Sequence, residues 1–194
     1  MIDVQPPAND EEFRFRASRL SLDFCATVVG RHGHLNEQLN TVDDLARWIV
    51  LAGVAPFAQG AGQLNDLRAA RALREAIYRL VRACMEGAHL PPEDVSLVNA
   101  AAAHPTPTPR LSPDGRTDWI TTEPGQSALA AVARDAIELL TSPLAGRIRE
   151  CASEDCSYVF VDTSRQARRR WCSIERCGNR EHVRRHRSRP QKPQ

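Results

Sequence analysis

Two pairs of cysteines constrain this 194-residue chain more than any other feature. Cys151 and Cys156 enclose four residues, Cys172 and Cys177 enclose four more, and fifteen residues separate the pairs. Sulfurs on two such loops can converge on one tetrahedral ion, and a four-thiolate zinc site needs them about 2.3 Å from the metal. Two disulfides, or four unrelated thiols, are the alternatives that the spacing leaves open. The expected compartment weighs against disulfides. The opening "MIDVQPPANDEEFRF" is polar, acidic and marked by proline, and no apolar run approaches the length of a membrane span. The chain is therefore expected to be soluble and cytoplasmic, with no membrane partner, and in a reducing cytosol clustered cysteines are more often metal ligands than cross-links.

Zinc also answers an energetic problem. Residues 146–190 carry too few apolar side chains to fold around a core of their own. A structural zinc contributes on the order of 10–16 kcal/mol in finger peptides, enough to order such a segment. Four cysteine ligands leave no position for water, so the expected Zn2+, one per chain, is structural rather than catalytic. Between the pairs, "SYVFVDTSRQARRRW" reads as a hairpin in which Tyr158, Phe160 and Asp162 alternate with Val159 and Val161, "DTSR" turns and "RRRW" returns. Gly178 gives room for a tight knuckle, and the residues after Cys177 read as helix. That order is a treble-clef-like or ribbon-like finger, followed by a disordered tail over 191–194. Cys25 and Cys84 lie in apolar segments and read as small buried hydrophobes.

Residues 1–145 read as a predominantly helical domain with a short hairpin, which makes the whole chain α+β. In "RLSLDFCATVV", Leu20, Leu22 and Phe24 alternate with Ser21 and Asp23, a strand pattern. "TVDDLARWIVLAG" is a helix with Thr41 as N-cap, Asp44 at the capping-box position, Leu45, Trp48 and Ile49 on one face, and Gly53 as its stop. A longer helix spans 64–86, with Leu73, Ile77, Leu80, Val81 and Cys84 inward and Arg71, Arg74, Arg79 and Arg82 on the wet side. "PPEDVSLVNAAAA" has proline and acidic residues where helix starts favour them. "SPDG" is a turn joining strands near 109–111 and 116–121. "QSALAAVARDAIELLTSP" is a last helix, with Leu129, Val132, Ala136 and Leu140 inward and Ser142–Pro143 as its stop.

The formal charge of +2 conceals an asymmetry: residues 146–194 hold 13 Lys+Arg against 6 Asp+Glu, while residues 1–145 carry a net charge of −5. A basic segment of this kind points to an acidic partner. Arg168, Arg169 and Arg170 enter the second cysteine pair beside Trp171, and Arg176, Arg180, Arg184, Arg185 and Arg187 follow at and beyond it. Arginine–phosphate contacts supply most non-specific nucleic-acid affinity, and a helix behind a zinc knuckle can enter a major groove, where arginine reads guanine. The same arginines can instead form a solvated face, pair with Glu175 and Glu181, or bond the zinc thiolates. Trp171 is expected under the finger rather than on a base.

Asp23, Cys25, His32 and His34 sit close in sequence but match no catalytic spacing, and no enzymatic activity is expected. A small-molecule pocket lined by Phe24, Trp48 and Trp119 is the expected site in the helical domain, its alternative being an ordinary core. Self-association into a homodimer is a further expected partner interaction.

"CASEDC", followed by "FVDTSRQARRRWCSIERCGNREHVRRHR", resembles the CGNR zinc-finger family, whose tetrapeptide stands here as Cys177-Gly178-Asn179-Arg180. "LSLDFCATV", "VDDLARWIVLAG" and "ALREAIYRL" are similar to the ABATE domain that precedes this finger, so the resemblance covers nearly the whole chain. It implies a bacterial, stress-induced transcription regulator whose finger binds DNA and whose N-terminal domain senses a ligand. It also implies that Cys151, Cys156, Cys172 and Cys177 are the zinc ligands. Sequence-specific duplex DNA is then favoured over RNA, with an RNA-binding or protein-interaction module as the alternative. One departure stands out: Ala26-Thr27 occupies the place of the family's Asn-Thr, which alters or removes any ligand contact made by that asparagine.

Overall fold

A computed structural model of the chain describes residues 13–54, 64–121 and 123–187. A leader over 13–19 runs into a short helix α1 (Leu20–Cys25), a two-residue ladder of β1 (Val28–Val29) and β2 (Asn36–Glu37), and α2 (Val42–Leu51). Then come α3 (Leu64–Glu86), α4 (Pro92–Ala102), the hairpin β3 (Thr108–Leu111) and β4 (Thr117–Ile120), and α5 (Pro124–Thr141). A 3-10 turn (Pro143–Arg147) leads to β5 (Ile148–Glu150), β6 (Val159–Val161), a wide turn (Ile174–Gly178) and α6 (Asn179–Arg187). The chain is α+β, with three separate antiparallel pairs beside the helices. The expected tail over 191–194 lies outside the described residues, among which no helix is long and apolar enough to cross a membrane.

The local signals in α2 act as the sequence suggests. Thr41 Oγ1 accepts from the Asp44 N–H at 3.1 Å, and Asp44 Oδ2 accepts from the Thr41 N–H at 2.9 Å, a complete capping box. Leu45, Trp48 and Ile49 are fully buried, and Gly53 takes a left-handed φ of 69° where the helix ends. In α3 the stripe Leu73, Ile77, Leu80 and Val81 is buried, while Cys84 is only half-buried. In α5, Leu139 rather than Leu140 completes the inner face, with Leu140 packed at its edge. "SPDG" turns the β3–β4 hairpin: Gly115 has φ 79°, and Pro109 faces Trp119 across the ladder.

Two expectations in this region are corrected. The strand expected at "RLSLDF" is α1, which buries Ser21, Leu22, Phe24 and Cys25, a helical spacing rather than an alternation. Its start is stabilised from a distance: Asp135 on α5 accepts both the Ser21 N–H (2.8 Å) and its hydroxyl (2.6 Å). Arg74, expected on the wet side of α3, is buried at 3% exposure. Burying it is tolerable because Glu37 on β2 takes two guanidinium nitrogens at 2.6 Å each, Glu75 takes Nε at 2.8 Å, and Thr27 Oγ1 accepts at 3.1 Å. The other arginines of that side also make tertiary ties: Arg71 to the Leu39 carbonyl, Arg79 to Asp94 of α4, and Arg82 to Glu150 of β5.

The finger's ladder is a third correction. β6 pairs antiparallel with β5, which lies ahead of the first cysteine pair, and "RRRW" forms no strand. Both faces of β6 are covered, so Tyr158, Val159, Phe160, Val161 and Asp162 are all buried and the apparent alternation carries no inside and outside. Asp162 instead organises the return, accepting from the Ser164 N–H (2.9 Å) and the Arg169 N–H (2.8 Å). One continuous core runs from Phe24 and Trp48 through α3 and α5 to Phe160, Val161 and the cysteines.

Candidate metal centre

The wide turn and the loop ahead of β6 bring four buried sulfurs together. Cys151, Cys156, Cys172 and Cys177 Sγ atoms all lie within 4.8 Å of one another. Cys156–Cys172 is 3.8 Å and Cys172–Cys177 is 3.6 Å, close to the roughly 3.8 Å edge of a tetrahedron with Zn–S bonds of about 2.3 Å. No disulfide joins any of the six cysteines.

Each pair sits on a knuckle closed by backbone bonds. In the first, the Cys156 N–H donates to the Ser153 carbonyl (2.9 Å) and the Cys151 N–H to the Tyr158 carbonyl (2.9 Å). In the second, the N–H groups of Cys177 and Gly178 both donate to the Ser173 carbonyl (3.1 Å each), and the Ser173 hydroxyl caps the turn by accepting from the Arg176 N–H at 3.2 Å. The Cys172 N–H points at Cys151 Sγ (3.4 Å) and an Arg180 amino group at Cys177 Sγ (3.5 Å), the donors that thiolates need. Gly178 packs beside Trp171 and Ile174, but a Cβ there would meet them at 3.5–3.7 Å, ordinary contact, so a methyl would fit.

The donor set asks for a cation. Hydrogen bonding within the cluster favours ionisation of the Cys151 thiol and opposes ionisation of its neighbour Cys156. Four thiols this close ionise together only around a metal, and sulfur-only, closed, tetrahedral coordination suits zinc. These residues fit one structural Zn2+, which supplies cross-linking and no reaction, because four sulfurs fill its coordination sphere.

The basic residues around it do not form one class. Arg169 is half-buried and engaged by the fold: it donates to the carbonyls of Trp171 (3.1 Å), Cys172 (2.6 Å) and Arg16 (3.1 Å) and lies 4.3 Å from the Phe160 ring. Arg184 pairs with Glu154 at 2.8 Å, with Asp155 and Glu181 nearby, and so braces the first knuckle against α6. Arg180 faces Cys177. Arg168, Arg170 and Arg176 are exposed on the second knuckle, with Arg170 5.0 Å from the half-buried Trp171 ring. The side chains of Arg185 and Arg187 lie outside the described residues.

Of the expected pocket residues, the structure brings Phe24 and Trp48 together, fully buried with rings 4.7 Å apart in the core, whereas Trp119 lies half-buried on β4. Sequence reasoning missed the seam between the regions. The Tyr158 hydroxyl meets Asp23 Oδ1 (2.8 Å), the Arg14 carbonyl (2.9 Å) and the Arg16 N–H (2.9 Å). Burial lifts the Asp23 carboxyl above its ordinary range against the hydrogen bonds it accepts from Ala17, Tyr158 and Arg16. No local pattern announces such a contact between residues 135 positions apart.

Two cysteine knuckles closed on one metal and followed by a helix make this a zinc-finger protein. More particularly, the chain belongs to the ABATE family, described as "Putative stress-induced transcription regulator", whose model matches residues 18–143. The CGNR zinc finger model matches residues 147–190. No curated protein matches the chain.

Proposed function

We propose that the protein is a cytoplasmic, zinc-dependent regulator of transcription in which the finger meets duplex DNA and the helical domain answers to a small molecule. The observation that carries this reading is the exposed arginine surface of the second knuckle, held around a metal centre with no chemistry of its own. The family description and the charge asymmetry support it. The test is enrichment of genomic DNA fragments by the intact, zinc-loaded chain beside a chelator-stripped control. A recurring duplex site recovered only with zinc is the expected result, and equal recovery with and without zinc overturns it.

The protein is read as a binding protein rather than an enzyme. The Cys25 thiol, pushed up to about 12 by burial, is a poor nucleophile at neutral pH. A cleft of about 360 Å3 between α3, α4 and α5, lined by Leu73, Leu97, His104 and Leu129 among others, is a better-shaped effector site than the aromatic trio. A metabolite screen by thermal shift on the full chain tests it, a shift abolished by Ala101→Trp being the expected outcome. The second reading is an RNA-binding or protein-interaction module with a purely structural finger. It draws support from the engagement of Arg169, Arg180 and Arg184 within the fold.

A further inference from the structure

One groove on the finger does not follow α6. It lies between the leader and the second knuckle, encloses about 910 Å3, and is lined by Arg16, Arg168, Arg169, Arg170, Trp171 and Ile174, with Ser164, Cys172, Ser173 and Glu175 completing it. Among the described residues, the side chains of Arg16, Arg168 and Arg170 take part in no ion pair and no hydrogen bond, in contrast to Arg184. Glu175 is the one carboxylate of the lining; its own backbone N–H, the Ser173 hydroxyl (2.8 Å) and the charge of Arg16 hold it below the ordinary glutamate range.

The groove carries apolar surface beside its basic rim. Ile174 is 69% exposed, and Trp171 lies half-buried in the same lining with the Arg170 guanidinium 5.0 Å from its ring. Guanidinium groups with no hydrogen bond or close ion pair, beside an aromatic and an aliphatic side chain, match one kind of partner, a polyanion with flat apolar faces between its charges. The rim is also preorganised. Arg169 spends its donors on the carbonyls of Arg16, Trp171 and Cys172, so the leader and the second knuckle are held at a fixed separation.

We infer that this groove is the seat of a nucleic-acid sugar–phosphate backbone, with Arg16, Arg168 and Arg170 as phosphate contacts and Trp171 and Ile174 against sugar or base edges. The inference rests on the reading of the finger as a nucleic-acid binder, and it locates the contact on a surface that the leader shares. Arg184 is then a brace of the knuckle and not a phosphate contact.

The experiment is fluorescence anisotropy of the zinc-loaded full chain on a labelled duplex and on the matching single strand across a salt series. Arg168→Gln/Arg170→Gln lowers the slope of log K against log salt by about 1.8 on a duplex or about 1.4 on a single strand if both contact phosphates. Arg16→Gln lowers it by about half as much. Glu175→Gln tightens binding, a gain that misfolding cannot imitate, and one zinc per chain is verified for every variant. A slope lost on only one of the two probes supports the groove and identifies its ligand. Wild-type protein that binds but whose slope survives Arg168→Gln/Arg170→Gln overturns the groove alone. Wild-type protein that binds neither probe at low salt overturns the nucleic-acid reading and the groove with it.

Discussion

The helical region and the finger reach order by opposite means. Along α2, α3 and α5, buried aliphatic and aromatic residues recur at helical spacing, among them Leu45, Trp48, Ile49, Leu73, Ile77, Val132 and Leu139. Between 162 and 184 the buried residues are Asp162, Cys172, Ser173, Cys177 and Gly178, with no large apolar side chain among them. Apolar area stabilises the first region at roughly 25 cal/mol per Å2 removed from water. Beyond β6 the finger has almost none to remove and depends on metal–sulfur bonds, while β5 and β6 join the shared core. The contrast teaches that beyond β6 the metal takes the place of a core, while β5 and β6 are held by the one they share with the helices.

Removing the metal is the strongest test of that contrast. Chelation, or Cys172→Ser, takes away on the order of 10–16 kcal/mol of binding free energy from the finger. Amide protection should vanish over the second knuckle and α6, while α3 and α5, which bury their own stripes, stay protected in hydrogen exchange. Loss of protection in all of them together would mean that the helical region has no independent stability, and the comparison would collapse.

What could be read from the sequence divides along the same line. The α2 capping box was legible because its signals lie three residues apart, and the zinc ligands because cysteine spacing carries its own chemistry. The α1 and β6 expectations failed where burial surrounds an element: with Ser21 and Asp162 inside, polarity no longer marks the outer face. Arg74 was misplaced because its partners Glu37 and Glu75 come from another element and from the adjoining residue, and a helical wheel shows neither pairing. The arginines of the finger were countable but not sortable. Whether a guanidinium is spent, as Arg169 is, or unspent, as Arg168 is, depends on backbone carbonyls brought in by folding.

Within the helical region, Trp48→Ala should cost about 3–5 kcal/mol, read as a lowered Tm, with zinc content still one per chain. Zinc lost along with that core would blur the two regions into one. Arg74→Met leaves the partly buried Glu37 without its main partner and should cost about 3 kcal/mol. Burial pushes the Glu37 carboxyl up, but Arg74 outweighs that and holds it below its ordinary range. A depressed carboxylate contributes stability above its unfolded pKa and loses it as pH falls through the folded value. Wild type and Arg74→Met should therefore converge in stability below about pH 4 and differ most at neutral pH. A gap that is constant with pH would deny the ion network its role.

The smallest expected effect falls on the seam, where the two regions stop being separable. Tyr158 stands two residues after a zinc ligand, yet its hydroxyl is satisfied wholly by the N-terminal side, at Asp23, the Arg14 carbonyl and the Arg16 N–H. Tyr158→Phe keeps the buried ring and removes only that hub, leaving Asp23 with the N–H groups of Arg16 and Ala17. The cost should be about 1–3 kcal/mol, the penalty of buried polar groups deprived of a partner. Its distribution matters more than its size. If the hub couples the regions, zinc stabilises α1 and the leader in wild type, and that zinc-dependent protection shrinks in Tyr158→Phe while zinc stoichiometry stays the same. If zinc protects α1 equally in both proteins, the coupling runs through the β5–β6 ladder and the shared apolar core instead, and the hydroxyl hub only fills a polar gap between them.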